Sequence, residues 1–261
     1  MGRRGRAFTL MELIVVLMII LTLIAILLPS VHGTHRANNR VRCASNLRQI
    51  GNGIMLYMNA NGGAFPRTRA SIEPDAGTRR VPGWGTGAAA ADPFAPDGPA
   101  ENDVTAPLFL LLRAGTFPAR LFVCPASNHS PDPLAGDGTV LPLTRSNFTD
   151  VKKHLSYSYQ NPYPNNSTVS KAFSGQVVTT SDFALLADRN PGAAGGNSLN
   201  HDLKGQNVLY ADGHVTWQLT PLVGRPPRPG ATPDHIYNTA DGKIVASPAT
   251  YQDNILLPTD D

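Results

Sequence analysis

The feature that most constrains this chain is an apolar segment near its N-terminus. The segment runs for 21 residues from Phe8 to Leu28, and its only polar members are Thr9, Glu12 and Thr22. As a helix with a rise of about 1.5 Å per residue it is about 30 Å long, which matches the hydrocarbon core of a bilayer. We therefore predict a transmembrane helix over residues 8–29.

A cleaved secretory signal is the competing interpretation, because three arginines precede the apolar segment. The apolar core of such a signal normally has about 7 to 15 residues and ends at a cleavage site made of small residues. Here the apolar segment is longer, and the Pro-Ser-Val-His sequence at 29–32 supplies no such site. The membrane helix is the preferred interpretation.

Glu12 is the unusual residue of this segment. A carboxylate within an apolar membrane helix costs about 2.5 to 3.5 kcal/mol on insertion scales, so a function is expected for it. The structural alternative is a side chain that reaches back to the membrane surface. A simple membrane anchor has no use for the carboxylate.

The residues around Glu12 resemble the processing motif of type IV prepilins and type II secretion pseudopilins. The motif is Arg-Ala-Phe-Thr-Leu-Met-Glu-Leu, at positions 6–13. The resemblance implies a leader over residues 1–7, cleavage between Ala7 and Phe8 by a prepilin peptidase, and N-methylation of Phe8. It also implies that Glu12 serves assembly by pairing with the methylated amine of a neighbouring subunit.

The same resemblance implies partners and a location. The partners would be the prepilin peptidase and other pilin-like subunits, which the N-terminal helix would contact. The protein would cross the bacterial inner membrane once, with its C-terminal head exported to the periplasm or the cell surface. Residues 1–80 hold 11 Lys and Arg against 3 Asp and Glu. Because these positive charges flank the apolar segment, we expect them to contact lipid headgroups and not nucleic acid.

An amphipathic helix is predicted over residues 30–61. Apolar side chains recur there at spacings of three and four, at Val41, Ala44, Leu47, Ile50, Ile54 and Tyr57 or Met58. The helix should end at the Asn-Gly-Gly sequence 61–63. The Cys-Ala-Ser-Asn-Leu-Arg-Gln-Ile-Gly sequence at 43–51, with Phe-Pro at 65–66, resembles a bacterial subfamily of prepilin-like proteins that carries a C-terminal His-x9-Asp-Gly signature.

The rest of the chain is predicted to be a β-rich head. Residues 62–106 form an irregular loop region whose glycines lack the strand, helix and lysine of a phosphate loop. A globular head with a Pro-rich tail follows over 107–261. It should contain a helix over 108–114 and strands over 121–125, 155–160, 176–180 and 183–187, and the tail from Pro221 should lie on the surface.

The clearest element of the head is a predicted hairpin. Two β-prone segments, 207–211 and 214–219, flank Asp212-Gly213, and an Asp-Gly pair is a strong signal for a two-residue turn with positive φ at both residues. Ten residues lie between His201 and Asp212, where the subfamily has nine. A one-residue insertion is therefore expected within residues 202–205.

Few residues of the head could carry chemistry. The candidates are Asp182, Asp188, His201, Asp202, Asp212 and His214. Turn and hydrogen-bond roles are preferred for all six; Asp188, His201 and Asp212 are weak metal candidates, and Ca²⁺ is the weakly favoured ion. We expect no cofactor, no catalytic residue and no enzyme, because a hydrolase built on His201 and Asp212 would lack a nucleophile.

The two cysteines, Cys43 and Cys124, lack the paired spacing of a zinc site. In an exported head they are compatible with one disulfide. Two unpaired thiols are the slightly preferred state, because the sequence does not show whether the two residues meet.

Together these patterns predict an α+β, pilin-like fold, with a long N-terminal α-helix packed on a C-terminal antiparallel β-sheet. The expected function is that of a structural subunit or minor component of a type IV pilus-like or type II secretion pseudopilus filament. The alternative is a membrane-anchored, exported binding module that captures a ligand or Ca²⁺ and does not enter a filament.

Overall fold

A computed structural model describes residues 8–71, 81–114, 117–133, 144–165, 180–239, 242–250 and 253–260. The side chains of residues 27–34 and 194 lie outside this description. Two predictions also fall outside it: the leader, which includes Ala7, and the strand at 176–180 except for its last residue. The chain divides into two compact units, Met1–Asn39 and Arg40–Asp261. The fold is α+β, with an N-terminal helix and a C-terminal antiparallel sheet.

The N-terminal unit contains the first part of helix α1, which runs over Leu10–Ala60. Thr9 and Glu12 close its first turn, because Glu12 Oε2 accepts from the backbone N–H and the hydroxyl of Thr9, both at 2.9 Å. The Glu12 N–H in turn donates to Thr9 Oγ1 at 3.2 Å. This reciprocal arrangement is a capping box, which satisfies two backbone donors at a helix start.

The large apolar side chains of this unit are exposed. Between Phe8 and Ile26 the large hydrophobic residues expose 44 to 74 % of their surface. In the part of the chain that the structure describes, no helix is long and apolar enough to cross a membrane.

The second unit is built on a five-stranded antiparallel sheet with the order β4-β3-β2-β1-β7. Its strands are β1 (Tyr157–Gln160), β2 (Ala184–Asp188), β3 (Gln206–Tyr210), β4 (Val215–Gln218) and β7 (Leu256–Leu257). Strands β5 (Leu222–Gly224) and β6 (Asp234–His235) form a separate pair. Helices α2 (Ala106–Arg113) and α3 (Val151–His154) are the other α-helices of the described residues.

The last part of α1 supplies one side of the core. The predicted residues Leu47, Ile50, Ile54 and Met58 are buried, but Val41 is 65 % exposed. The buried stripe begins instead at Cys43, which lies one turn before Leu47. The helix ends as its glycines predict, because Gly62 and Gly63 have φ of 61° and 85° and the Gly63 N–H donates to the Met58 carbonyl.

Two glycines let this part of α1 approach its neighbours closely. A Cβ on Gly51 would lie 2.8 Å from Cδ2 of Leu209 on β3, and one on Gly53 would lie 2.8 Å from the ring of Phe117. Both glycines are buried. Their lack of a side chain sets the packing distance between the helix and these two residues.

The hairpin between β3 and β4 closes at the pair Tyr210 and His214 on a three-residue loop, so the predicted two-residue turn is wrong. The Tyr210 N–H donates to the His214 carbonyl at 2.9 Å, which leaves residues 211–213 as the loop. Within it only Gly213 has a positive φ, of 92°. A three-residue loop of this kind needs one glycine in the left-handed region, and Asp212 therefore keeps an ordinary backbone conformation.

Two other predictions need correction. Residues 121–125 are not a strand: a 3-10 helix spans Ala119–Phe122, and the Phe122 carbonyl accepts from the Ser156 N–H. The predicted strand at 155–160 is present as β1, and all four of its residues are buried although polar and apolar residues alternate. The Pro-rich tail does not only cover the surface, because Ile255, Leu256 and Leu257 are buried and β7 pairs with β1.

Candidate functional site: a buried Cys, Asp and His cluster

Four side chains from separate parts of the second unit meet in its interior. Cys43 lies on α1, Cys124 follows the 3-10 helix Ala119–Phe122, Asp188 ends β2, and His201 ends a second 3-10 helix, Leu199–His201. All four are buried, and their ligand-type atoms lie within 4.8 Å of one another. In the described residues this is the one group of three or more Cys, His, Asp or Glu side chains with such a spacing.

The atoms of the cluster face one another directly. The Cys43 thiol donates to Asp188 Oδ1 at 2.9 Å. The Nε2 atom of His201 lies 3.3 Å from Asp188 Oδ2 and 3.5 Å from the sulfur of Cys124. Both cysteines are thiols in this structure.

A second layer of polar groups holds these side chains in place. Asp188 accepts from the side-chain amide of Asn200 at 3.1 Å and from the backbone N–H of Asn207 at 2.7 Å. The hydroxyl of Tyr157 lies 3.4 Å from the Cys43 sulfur. The carboxylate is therefore fixed in one orientation from two sides.

Burial and mutual contact shift the pKa values of the cluster. Burial raises the pKa of Cys43, whereas the contact with the Cys43 side chain lowers the pKa of Cys124 to about 7. Burial opposes the charge on His201, but its hydrogen bonds with Asp188 and Cys124 outweigh burial and raise its pKa to about 10. Burial likewise opposes the charge on Asp188, yet the bond from His201 keeps its pKa below the usual value.

The loop after His201 is strained. Asp202 and Leu203 have φ of 57° and 60°, in the left-handed region that non-glycine residues seldom adopt. This is where the sequence predicted a one-residue insertion. Trp217 on β4 packs edge-to-face on the His201 ring at 5.2 Å, and the Arg40 guanidinium lies 4.7 Å from the centre of the Trp217 ring.

The structure separates the three metal candidates of the sequence. Asp188 and His201 lie together, but Asp212 lies in the hairpin loop with its Oδ1 2.5 Å from Nδ1 of His214. The side chains of Asp212 and His214 are partly exposed. Asp182 pairs instead with Arg225, and Asp202 with Lys204. The carboxylate that contacts His201 is therefore that of Asp188, and not that of Asp212 in the Asp-Gly signature.

Sequence reasoning missed two features that carried a signal. Cys43 stands four residues before Leu47, in phase with the buried stripe of α1, so its burial could have been predicted from the helical period. The Thr-x-x-Glu spacing of Thr9 and Glu12 is the pattern of a capping box.

Comparisons with protein-family models, with curated proteins and with solved structures found no match to this chain. The chemistry of the cluster therefore rests on its own geometry. It offers two sulfurs, one imidazole nitrogen and one carboxylate, a donor set that suits a borderline-soft transition ion better than Ca²⁺.

Proposed function

We propose that this protein is a structural subunit or minor component of a type IV pilus-like or type II secretion pseudopilus filament. Its fold would be pilin-like, with the head carried on the N-terminal helix. A prepilin peptidase would cleave between Ala7 and Phe8 and methylate Phe8. The helix would anchor the precursor in the bacterial inner membrane before assembly, with the head exported.

One observation carries this proposal: the large apolar side chains that the structure describes in the N-terminal unit, from Phe8 to Ile26, are exposed. Isolated exposed hydrophobic residues are common on protein surfaces, but a contiguous run marks contact with a membrane or with another protein. Phe8 and Met11 each expose 74 % of their surface, and the exposed run continues to Ile26. A lipid bilayer in the precursor and neighbouring helices in a filament would each provide the missing cover.

Glu12 supports a filament over a simple anchor. Its carboxylate is held beside the start of the helix by Thr9, which directly follows Phe8, the residue whose amine cleavage would create. In a filament core the amine of a neighbouring subunit would neutralise it, because a buried charge is tolerated only when it is paired. The capping box gives Glu12 a second, purely structural task, and the two tasks need separate tests.

A pair of variants separates the tasks of Glu12. Glu12→Gln removes the charge but keeps a side chain that can complete a capping box. Thr9→Ala removes the threonine hydroxyl from the capping box and keeps the charge. We expect filament assembly in the native host to fail in Glu12→Gln and to persist in Thr9→Ala, with both precursors still inserted in the membrane.

Assembly is measured as the amount of protein in sheared or membrane-detached filaments. Normal assembly of Glu12→Gln would refute the subunit proposal and favour the membrane-anchored binding module. The mass of the mature N-terminus tests processing independently. An N-methylated Phe8 supports the proposal, and an intact Met1 or cleavage beyond Pro29 contradicts it.

A further inference from the structure

The buried cluster of Cys43, Cys124, Asp188 and His201 points to a metal site that neither the N-terminal motif nor the filament proposal requires. We propose that these four side chains bind one Zn²⁺ ion as a closed structural site in the head. The site would join α1, the segment after Ala119–Phe122, β2 and the 3-10 helix Leu199–His201.

The spacing of the four ligand atoms fits a tetrahedral ion. With metal–ligand distances of about 2.0 to 2.3 Å, ligand atoms around tetrahedral Zn²⁺ lie about 3.3 to 3.8 Å from one another. The measured contacts of Cys43 with Asp188, of His201 with Asp188 and of Cys124 with His201 are 2.9, 3.3 and 3.5 Å. The largest separation in the cluster is 4.8 Å at most, so shifts of about 1 Å would centre an ion.

The surroundings of His201 Nε2 favour a ligand role over a hydrogen-bond role. This atom faces Asp188 Oδ2 at 3.3 Å, and the Cys124 sulfur and Asn207 Nδ2 each at 3.5 Å. Hydrogen bonds from nitrogen to oxygen usually measure about 2.7 to 3.2 Å. An atom that makes several long contacts and no short hydrogen bond is better placed to coordinate an ion than to share one proton.

The second layer has the form that metal sites use. Asn200 and the Asn207 backbone orient the Asp188 carboxylate, and the Tyr157 hydroxyl lies 3.4 Å from the Cys43 sulfur. Such outer contacts fix ligand orientation, and losing one typically lowers metal affinity by about 10- to 100-fold. Thiolate ligands favour Zn²⁺ over Mg²⁺ and Ca²⁺, and four buried protein ligands leave no position for a substrate.

A disulfide between the two cysteines is the competing state. It would use two of the four convergent side chains and leave Asp188 and His201 as a separate ion pair. It also excludes Zn²⁺ binding by the same sulfurs, because only a thiolate is a good ligand. The two states therefore give opposite results in one experiment.

The experiment uses the full-length protein in detergent, in two preparations. For the first, cells are lysed in the presence of a thiol-alkylating reagent. For the second, the protein is purified without that reagent, under reducing, chelator-free conditions. We expect one Zn²⁺ per chain by elemental analysis in the second preparation, and no Cys43–Cys124 disulfide by peptide mass in the first. After chelation, Co²⁺ alone should restore one equivalent, with the absorption of tetrahedral thiolate coordination and quenching of Trp217 beside His201.

The variants identify the ligands. Cys124→Ser and His201→Gln should lose stoichiometric binding, and Tyr157→Phe should weaken it about 10- to 100-fold. Asp212→Asn, in the partly exposed hairpin, is the matched control and should bind as the wild type does. Because the Co²⁺ titration needs only wild-type protein, a variant that fails to fold does not remove the test.

Three results would overturn the site. The first is reduced wild-type protein with both thiols free that takes up neither Zn²⁺ nor Co²⁺. The second is a Cys43–Cys124 disulfide in the alkylated cell lysate, which would assign the pair to a covalent bridge. The third is retention of binding by both Cys124→Ser and His201→Gln, which would place the ion elsewhere.

Discussion

Helix α1 contains two regions that use apolar residues in opposite ways. Over residues 10–26 its large hydrophobic side chains are exposed, whereas over residues 43–58 a stripe of them is completely or almost completely buried. Under the filament proposal, this one helix would serve two kinds of partner. The second region is covered by its own chain and should determine the stability of the head, while the first would be covered by lipid or by neighbouring subunits and should affect insertion and assembly.

The head also contains buried polar groups, and the largest effect we predict concerns one of them. Arg189 follows β2 and is fully buried, and its guanidinium donates to the carbonyls of Val151, Leu155 and Thr259 at 2.6 to 3.1 Å. It also lies 3.1 Å from Asp260. The side chain therefore ties α3 and the C-terminal segment to the sheet.

Replacing Arg189 by Ala should lower the free energy of unfolding of the head by about 3 to 5 kcal/mol, because three carbonyls and a carboxylate lose a buried partner. Urea denaturation of the full chain in detergent, followed by tryptophan fluorescence, measures the change. Arg48→Ala, on the exposed side of α1, is the control and should change stability by less than about 0.5 kcal/mol. Equal effects of the two variants would show that the buried contacts of Arg189 contribute little.

A matched pair on α1 tests the comparison itself. Ile50→Ala removes a fully buried side chain and should destabilise the head by about 2 to 4 kcal/mol. Ile20→Ala makes the same change where 44 % of the side chain is exposed, and should leave head unfolding unchanged. Ile20→Ala should instead reduce membrane retention or assembly, measured by fractionation. If both variants destabilise the head alike, the division of α1 into two roles is wrong.

The third prediction concerns how closely α1 approaches the sheet. Gly51→Ala would place a methyl group 2.8 Å from a methyl carbon of the buried Leu209, so either the helix or the leucine must move. Overpacking of this size costs about 1 to 3 kcal/mol, less the gain in helix propensity. Gly51→Ala combined with Leu209→Val should recover part of the loss in the same denaturation assay. Stabilisation by Gly51→Ala alone would mean that the contact relaxes without cost.

The sequence predicted those elements whose pattern lies within a few neighbouring residues. The end of α1 at Gly62, helix α2 and strand β2 were predicted from the spacing of apolar residues and from turn residues. Strand β7 was not predicted, because its two residues in a Pro-rich tail are too few to show the alternation of a strand. The β-prone residues near Leu121 do not form a strand, because the carbonyls of Phe122 and Val123 accept from Ser156 and Asn46 instead of a neighbouring strand.

The buried cluster shows the same limit at the candidate site. Cys43 and His201 are separated by 158 positions (201 − 43), and four elements must pack before their ligand atoms meet. The sequence identified Asp188 and His201 as metal candidates, but it grouped Asp212 with them. Asp212 lies instead in the hairpin loop, where its carboxylate accepts from the backbone N–H of His214 and contacts the His214 ring.

The smallest effect we predict is a pH dependence confined to the head. His129 is half-buried, its Nδ1 atom lies 2.7 Å from the Ser156 hydroxyl, and Arg189 and His154 lie near enough to repel a charge on its ring. Burial and these neighbours lower the pKa of His129 to about 4. The unfolded chain should take up this proton near pH 6.5, so between about pH 6.5 and 4 the unfolded state binds a proton that the folded state excludes.

The stability that His129 contributes is therefore complete above pH 6.5 and falls as the pH falls towards 4. Solvent screens the partly exposed ring, so we expect a loss of about 1 kcal/mol between pH 7 and pH 5. His129→Gln should show a shallower decline than the wild type in urea denaturation at both pH values. Because the ring lies outside the N-terminal unit, membrane retention of the two proteins should be equal at pH 5. Parallel stability profiles for wild type and His129→Gln would show that the folded ring accepts its proton as easily as the unfolded one.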